Sequence, residues 1–212
     1  MQQAAPPRWR RRSEDRPREI CAAALEVFAE KGFAAAKLDE IAKRAGVSKG
    51  TLYLYFKDKE QLFRSVVRDS IAPEVEAITS AVAALDMPFE RLIPAFFARV
   101  AENFDRVPVG AVAKMVVGES RNFPEIARVW HDEVATRVIG ATAAMVAKAQ
   151  ERGEVRTGDP RLYAFILIGP MIIGALWTTT LVPVGGQPLD FLKLASQHAD
   201  TVLYGLLTGH DA

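Results

Sequence analysis

Between Leu38 and Lys59 the chain reads LDEIAKRAGVSKGTLYLYFKDK, and this stretch restricts the fold more than any other. Leu38, Ile41, Ala42 and Ala45 recur at i, i+3, i+4 and i+7, the apolar stripe of one short helix. Gly46 falls where a left-handed residue ends such a helix. Ser48 has the hydroxyl of an N-cap, and a second short helix follows with Leu52 and Phe56 inward at i and i+4. Only Gly46-Val47-Ser48 joins the two, so the second helix must cross the first. Its outer face carries Lys49, Thr51, Tyr53 and Tyr55: a base, a hydroxyl and two phenols. A merely solvated surface explains that choice poorly. A helix lying in the major groove of DNA explains it well.

Each group has a matching task. Lys49 can reach a phosphate or a guanine edge, and Thr51 a base edge or a thymine methyl. Tyr53 and Tyr55 suit phosphates. Ser48 and Gly50 let the backbone approach closely, with the amides of the helix start turned to the phosphates. Lys59, in the first turn of the next helix, is expected to grip the same backbone. The competing reading is that aromatics at helical spacing pack inward, but Leu52 and Phe56 already fill that place.

The net charge of +1 hides a split. Residues 1–60 hold thirteen Lys and Arg against nine Asp and Glu, whereas the remainder holds fourteen against seventeen. A basic head on a slightly acidic body suits a polyanion-binding end joined to a body with other work. Part of the excess comes from residues 1–15, MQQAAPPRWRRRSED, which lack periodicity and read as a flexible basic arm. Its cluster Arg8, Arg10, Arg11 and Arg12 around Trp9 either reaches phosphates or a minor groove, or is a solvated charge run. Cys21 is the single cysteine, which excludes an internal disulfide and fits a reducing cytoplasm. No apolar segment follows the N-terminal arginines, so no signal peptide is read.

Apolar spacing predicts helices throughout, about nine in all, and no alternating run calls for a sheet. A first helix runs from Arg16 to Lys31, closed by Gly32, with Phe33 folding back. Asp58 and Gln61 form a capping box that opens a long helix, with Pro73 as its kink or break. Pro88 is placed as the first residue of a helix to about Arg106, bent at Pro94. Val109–Glu119 is a short apolar segment. Asn122 is expected to cap a helix from Pro124 to Arg152, ended by Gly153. Asp159-Pro160 starts an uncharged helix to Val182, and a last helix covers Leu189–Leu207. The uncharged run is read as a helix buried on most sides, in the core and a subunit interface, rather than a membrane span. The domains expected are the arm 1–15, a helix-turn-helix head at 16–57 and a helical body at 58–212.

The segment GFAAAKLDEIAKRAGVSKGTLYLYFKDKEQLF resembles the helix-turn-helix signature of TetR-family transcriptional regulators, over roughly Arg16–Phe63. The resemblance implies a three-helix head on an all-helical ligand-binding body, working as a homodimer on a pseudo-palindromic double-stranded DNA operator. By matching position it assigns DNA contact to Ser48, Lys49, Gly50, Thr51, Tyr53, Tyr55 and Lys59. The family often has Thr where this chain has Ala36, a cap and phosphate ligand for the next helix. Ala36 serves neither purpose, and Lys37 is the expected substitute contact. GESRNFPEIARVWHDEV and GPMIIGALW also resemble C-terminal domains in part of the family.

No GxSxG, HExxH, Walker A or GxGxxG pattern is present, so no catalytic residue, cofactor or metal is assigned. His131-Asp132-Glu133 is read as helix surface because adjacent helical residues point apart. His198 and His210 have no recognisable partners. Phe96, Phe97, Phe104, Met115, Trp130, Phe165, Met171 and Trp177 are candidates to line an effector pocket, with Arg121, Asn122 and Thr178 as its polar groups. Plain core is the competing reading for each. The last two helices are the expected dimer faces, with Gly169 and Gly174 permitting close approach. The sequence therefore predicts a cytoplasmic repressor released from DNA by a small apolar effector, with no membrane partner. An activator or architectural protein, and a carrier or enzyme with a vestigial head, are the alternatives.

Overall fold

The structure, a computed structural model, describes residues 8–85, 87–103 and 109–207. Among these lie nine helices: α1 (Arg8–Ala35), α2 (Leu38–Arg44), α3 (Lys49–Tyr55), α4 (59–83), α5 (Phe89–Glu102), α6 (Val109–Glu119), α7 (124–151), α8 (Pro160–Val184) and α9 (Phe191–Leu206). No strand forms among the described residues beyond one isolated antiparallel pairing, Val155 with Leu207. The all-helical expectation holds.

Helix α1 begins at Arg8, not at Arg16, so the described part of the expected flexible arm is helical. Arginine and glutamate are good helix formers, and no glycine interrupts residues 8–16. Residues 1–7 of that arm, like Phe104, lie outside the described residues. Gly32, at φ 78° and ψ 173°, breaks α1 as expected and turns Phe33 inward. Asp58 accepts from the Gln61 amide at 2.7 Å while the Gln61 side chain accepts from the Lys57 amide at 2.8 Å. The capping box therefore closes one residue further back than usual.

Pro73 neither breaks nor sharply ends α4. The turn before it, Val67–Ile71, widens to π geometry, with the Ala72 amide bonded to the Val67 carbonyl. A proline ring crowds the carbonyl four residues back, and a wider turn relieves that contact. At α5, Pro88 is the N-cap rather than the first helical residue, and the helix ends at Glu102. The Phe89 amide, which a proline cap leaves without a side-chain acceptor, is bonded by Glu154 at 2.8 Å. Asn122 caps nothing. Phe123 holds the N-cap position of α7, with Pro124 just inside.

Most of the buried apolar side chains among the described residues fall into two clusters. The upper one joins Ile20, Val27, Phe28 and Phe33 of α1 and its turn to Ile41, Leu52, Phe56, Leu62, Phe63 and Val66. It continues without interruption into Val112, Met115 and Val116 of α6 and Ile126, Val129 and Val134 of α7. Phe28, Phe33 and Phe63 sit with ring centroids 5.6–5.7 Å apart. Such pairs contribute about 0.5–1.5 kcal/mol each beyond area burial. The head's core thus runs past residue 57 into the body. The lower cluster packs Phe89, Ile93, Phe96 and Phe97 of α5 against Val146, Leu167, Met171, Ala195 and Val202.

Helix α8 is not buried on most sides within one chain. Its most apolar window has a mean hydropathy of 1.9, yet only 22% of that window is buried. Leu162, Phe165, Ile166 and Ile173 stand exposed on one face. Their spacing from Leu162, at i+3, i+4 and i+11 with Gly169 at i+7, is a single helical stripe.

Candidate nucleic-acid interface

The joint between α2 and α3 is a complete Schellman turn. Gly46 takes φ 66°, its amide bonds the Lys43 carbonyl at 3.2 Å, and the Val47 amide bonds the Ala42 carbonyl at 3.0 Å. Ser48 then caps α3, its hydroxyl accepting from the Thr51 amide at 3.0 Å and pairing with the Thr51 hydroxyl at 2.8 Å. Buried Leu52 and Phe56 pin α3 to the core. Two ionic contacts brace the head from outside: Arg44 forks onto Glu30 at 2.6 and 2.8 Å, and Lys31 meets Glu40 at 2.7 Å.

Ser48, Lys49, Gly50 and Tyr53 are exposed on this helix, whereas Thr51 and Tyr55 are half-buried. The Lys49 ammonium pairs with Asp39 at 2.7 Å, which raises its pKa, and lies 6.0 Å from the Tyr53 ring centre. Asp39 thereby fixes Lys49 beside the tyrosine, and a phosphate must compete with that carboxylate. Lys37, not Ala36, is the N-cap of α2, and no side chain caps the helix there. Ala36 is buried instead. The missing cap is real, but its position moves by one residue.

Lys59 is turned to the chain's own backbone. Its ammonium donates to the carbonyls of Phe33 at 2.6 Å, Ala34 at 3.1 Å and Ala36 at 3.2 Å, and sits 4.6 Å from the Phe33 ring centre. Burial lowers its pKa, opposed by the nearby Glu119 carboxylate. Across the same turn, Glu119 of α6 accepts from the Phe33 amide at 2.8 Å and the Ala34 amide at 2.6 Å. Gly32 leaves room for this carboxylate, since a Cβ there would strike the Glu119 Oε1 atom. Phe123 completes the joint, 5.0 Å from Phe33 edge to face. A lysine from α4 and a glutamate from the body therefore hold both polar ends of the turn that leads into α2.

Sequence reading missed two exposed residues at this surface: Leu54, on the outside of α3, and Lys57, just after it. For Leu54 the available signal was its place two residues from inward Leu52, which turns it outward.

The candidate effector residues do not come together. Phe96, Phe97 and Met171 share the lower core, whereas Met115 lies in the upper one with Trp130 against it. Phe165 and Trp177 are exposed, and the Trp177 indole donates to the Gln187 carbonyl at 2.9 Å, pinning the α8–α9 connection. Arg121 and Asn122 are exposed in the turn after α6, and the Thr178 hydroxyl bonds the Gly174 carbonyl at 3.0 Å. A separate cavity of about 200 Å³ lies between α5 and α7, lined by Leu85, Met87, Phe89, Leu92, Met145 and Arg152 among others. None of the described candidates lines it. His198 has partners after all, the Leu167 carbonyl at 2.9 Å and the Phe97 ring at 4.7 Å. His131 and Asp132 also touch, at 2.8 Å, rather than pointing apart. No cluster of three potential metal ligands occurs among the described residues.

Residues 20–66 match the family described as bacterial regulatory proteins, tetR family, and residues 90–187 match the tetracyclin repressor-like C-terminal domain. The chain belongs to the TetR family of transcriptional regulators. The regulator EthR of Mycolicibacterium smegmatis is 29% identical over 164 residues, covering 76% of this chain and 74% of that protein. A fatty acid metabolism regulator of Bacillus subtilis is 43% identical over 58 residues, only 30% of its length. A TetR-family regulator from Mesorhizobium loti superposes with a TM-score of 0.73 at 27% identity, covering 92% of this chain and 96% of its own. FadR of Bacillus subtilis, solved with stearoyl-CoA, has a TM-score of 0.70 at 21% identity, with 89% and 98% covered, and shares the fold. In a TetR-family protein the α2–turn–α3 unit is the DNA-binding element, and the helical body binds effectors.

Proposed function

We propose that this protein is a cytoplasmic, ligand-responsive repressor that holds a pseudo-palindromic operator as a homodimer. The observation that carries this reading is a pair of exposed faces: the polar face of α3 with Ser48, Lys49 and Tyr53, and the apolar stripe of α8. A two-fold axis through α8 and α9 uses the same stripe twice and sets two α3 helices toward one duplex, about one helical turn apart. Lys49, Tyr53, Tyr55, Ser48, Gly50 and Thr51 are the proposed contacts, with Lys37 on the flanking backbone. Lys59 is withdrawn from that set, because its ammonium is held by three carbonyls.

The proposed effector is small and largely apolar, and enters the lower core around Phe96, Phe97 and Met171. It releases DNA by favouring a conformation with different head spacing. Beside the shared core and the Phe123–Phe33 contact, body and head are joined by the continuous helix α4 and by the Glu119 contact on the turn Phe33–Ala34. A shift of α6 relative to α4 moves the start of α2 through both.

Selection of duplexes from a random pool by the full chain, followed by footprinting, tests the reading. One discrete pseudo-palindrome, lost in Lys49→Ala and Tyr53→Ala at fixed salt, is the expected result. Coverage that grows with DNA length without sequence preference overturns it in favour of an architectural role. Activation is a second reading, because FasR of Mycolicibacterium smegmatis, 37% identical over 87 residues, is named a transcriptional activator. A reporter driven from the selected operator separates the two by the sign of its response.

A further inference from the structure

Two residues on α3 are left unexplained by the fold. Leu54 is 83% exposed, the most exposed of the large apolar side chains among the described residues. Leaving an isobutyl group in water gives no folding advantage, and the neighbouring polar groups show that this face is not a patch for core packing. The second residue is Gly50. It is the second residue of the helix, where a glycine gives up backbone freedom that an alanine would not. Its φ is not positive, and a Cβ built there would meet only the Ser48 hydroxyl, at an ordinary 3.8 Å. Nothing within the chain forbids a side chain at Gly50.

Both residues lie on one line. At 3.6 residues per turn, Gly50 and Leu54 are each about 160° around from the buried Leu52, on opposite sides of the outermost generator. They are also one turn apart, so they form a single outward track: a gap followed by a methyl-rich knob. Polar residues flank it, with Tyr53 and Lys49 on one side and Thr51 and Tyr55 on the other.

We infer that Leu54 is a specificity-determining residue that packs on a thymine C5-methyl in the major groove, and that Gly50 is kept bare to let α3 sit deep enough for that contact. The thymine methyl is the one apolar feature on a base edge in that groove, and an apolar side chain is its natural reader. The inference rests on the DNA-reading role of α3. The phosphate and hydrogen-bonding groups flanking the track then position the helix, while Leu54 discriminates by shape and apolar contact.

Replacing thymine by deoxyuridine in the selected operator removes only the methyl, and tests the inference atom by atom. Deoxyuridine at one contacted position in each half-site lowers the affinity of the parent protein about tenfold or more, since each buried methyl contributes about three- to fivefold. In Leu54→Ala the parent's thymine preference at that position falls to less than about twofold, and Leu54→Met, which keeps apolar reach, retains part of it. Gly50→Ala has an unchanged or raised Tm but binds the operator at least about tenfold more weakly. A parent protein indifferent to deoxyuridine at every position overturns the inference. So does a methyl preference that survives Leu54→Ala and disappears in Thr51→Ser. If no sequence-specific duplex is recovered at all, the operator reading falls and this inference with it, a result distinct from specific binding without methyl sensitivity.

Discussion

The Lys59 ammonium completes three carbonyls at the end of the turn after α1, so its loss is felt as stability before it is felt as binding. Lys59→Met keeps the stem and removes the donor, leaving part-buried carbonyls unpaired. A loss of about 1–3 kcal/mol in unfolding free energy is expected by denaturant titration. The slope of log affinity against log salt should stay unchanged, whereas loss of a phosphate contact would reduce it by about one. Cys21 makes a second residue-level prediction. Burial, with Asp69 as the lesser cause, pushes its thiol from the ordinary 9.0 up to about 12. The unfolded chain then loses this proton first as pH rises, so the stabilising effect is complete below pH 9 and declines towards pH 12. Folded protein should resist alkylation at neutral pH, and Cys21→Ala should show a shallower alkaline fall in Tm. Both residues were visible as types in the sequence. A lysine one residue into a helix reads as a surface cation until the turn that folds under it is known.

At the scale of elements, the junctions carry more than the helices do. Glu119 satisfies two amides, Phe33 and Ala34, that the break at Gly32 leaves open. Glu119→Ala should cost about 1–3 kcal/mol and should speed hydrogen exchange at those two amides above all others in the head. Equal protection in parent and variant would show that the carboxylate is not their acceptor in solution. The π-turn at Val67–Ile71 makes a similar case. Pro73→Ala restores a donor and removes ring crowding, so α4 should return to a regular α-helical register there, visible as restored i to i−4 protection. Helix existence was legible from apolar spacing because 3.6-residue periodicity is a local property. The cap of α2, the N-terminus of α5 and the response to Pro73 were misplaced by a residue or two, or changed in kind. For two of them the deciding feature is outside the local pattern: distant Glu154 takes the Phe89 amide, and the turn ahead of Pro73 widens to take its ring.

For the whole molecule, the apolar stripe Leu162–Phe165–Ile166–Ile173 is the feature a single chain does not resolve. Exposed apolar stripes of this kind mark association surfaces. Ile166→Glu with Ile173→Glu should convert the proposed dimer to monomer by light scattering, with helicity retained, and should weaken operator binding at least about a hundredfold because two linked heads become one. A dimer that persists places the interface elsewhere. Gly169 lies in this stripe with open space over it, whereas Gly174 is used within the chain, against Leu194 and Phe191 of α9.

The sequence by itself determined the helical class, the helix-turn-helix between Leu38 and Lys59, and the family, because caps, turns and stripes there depend on neighbours a few residues away. Only the tertiary structure decided what Lys59, Glu119 and the body's aromatics do. An apolar stripe shows that a residue points inward but not into which of two cores, which is why Phe97 and Met115 read alike and lie apart. A charge shows what a side chain can bind but not whether a distant turn has already taken it.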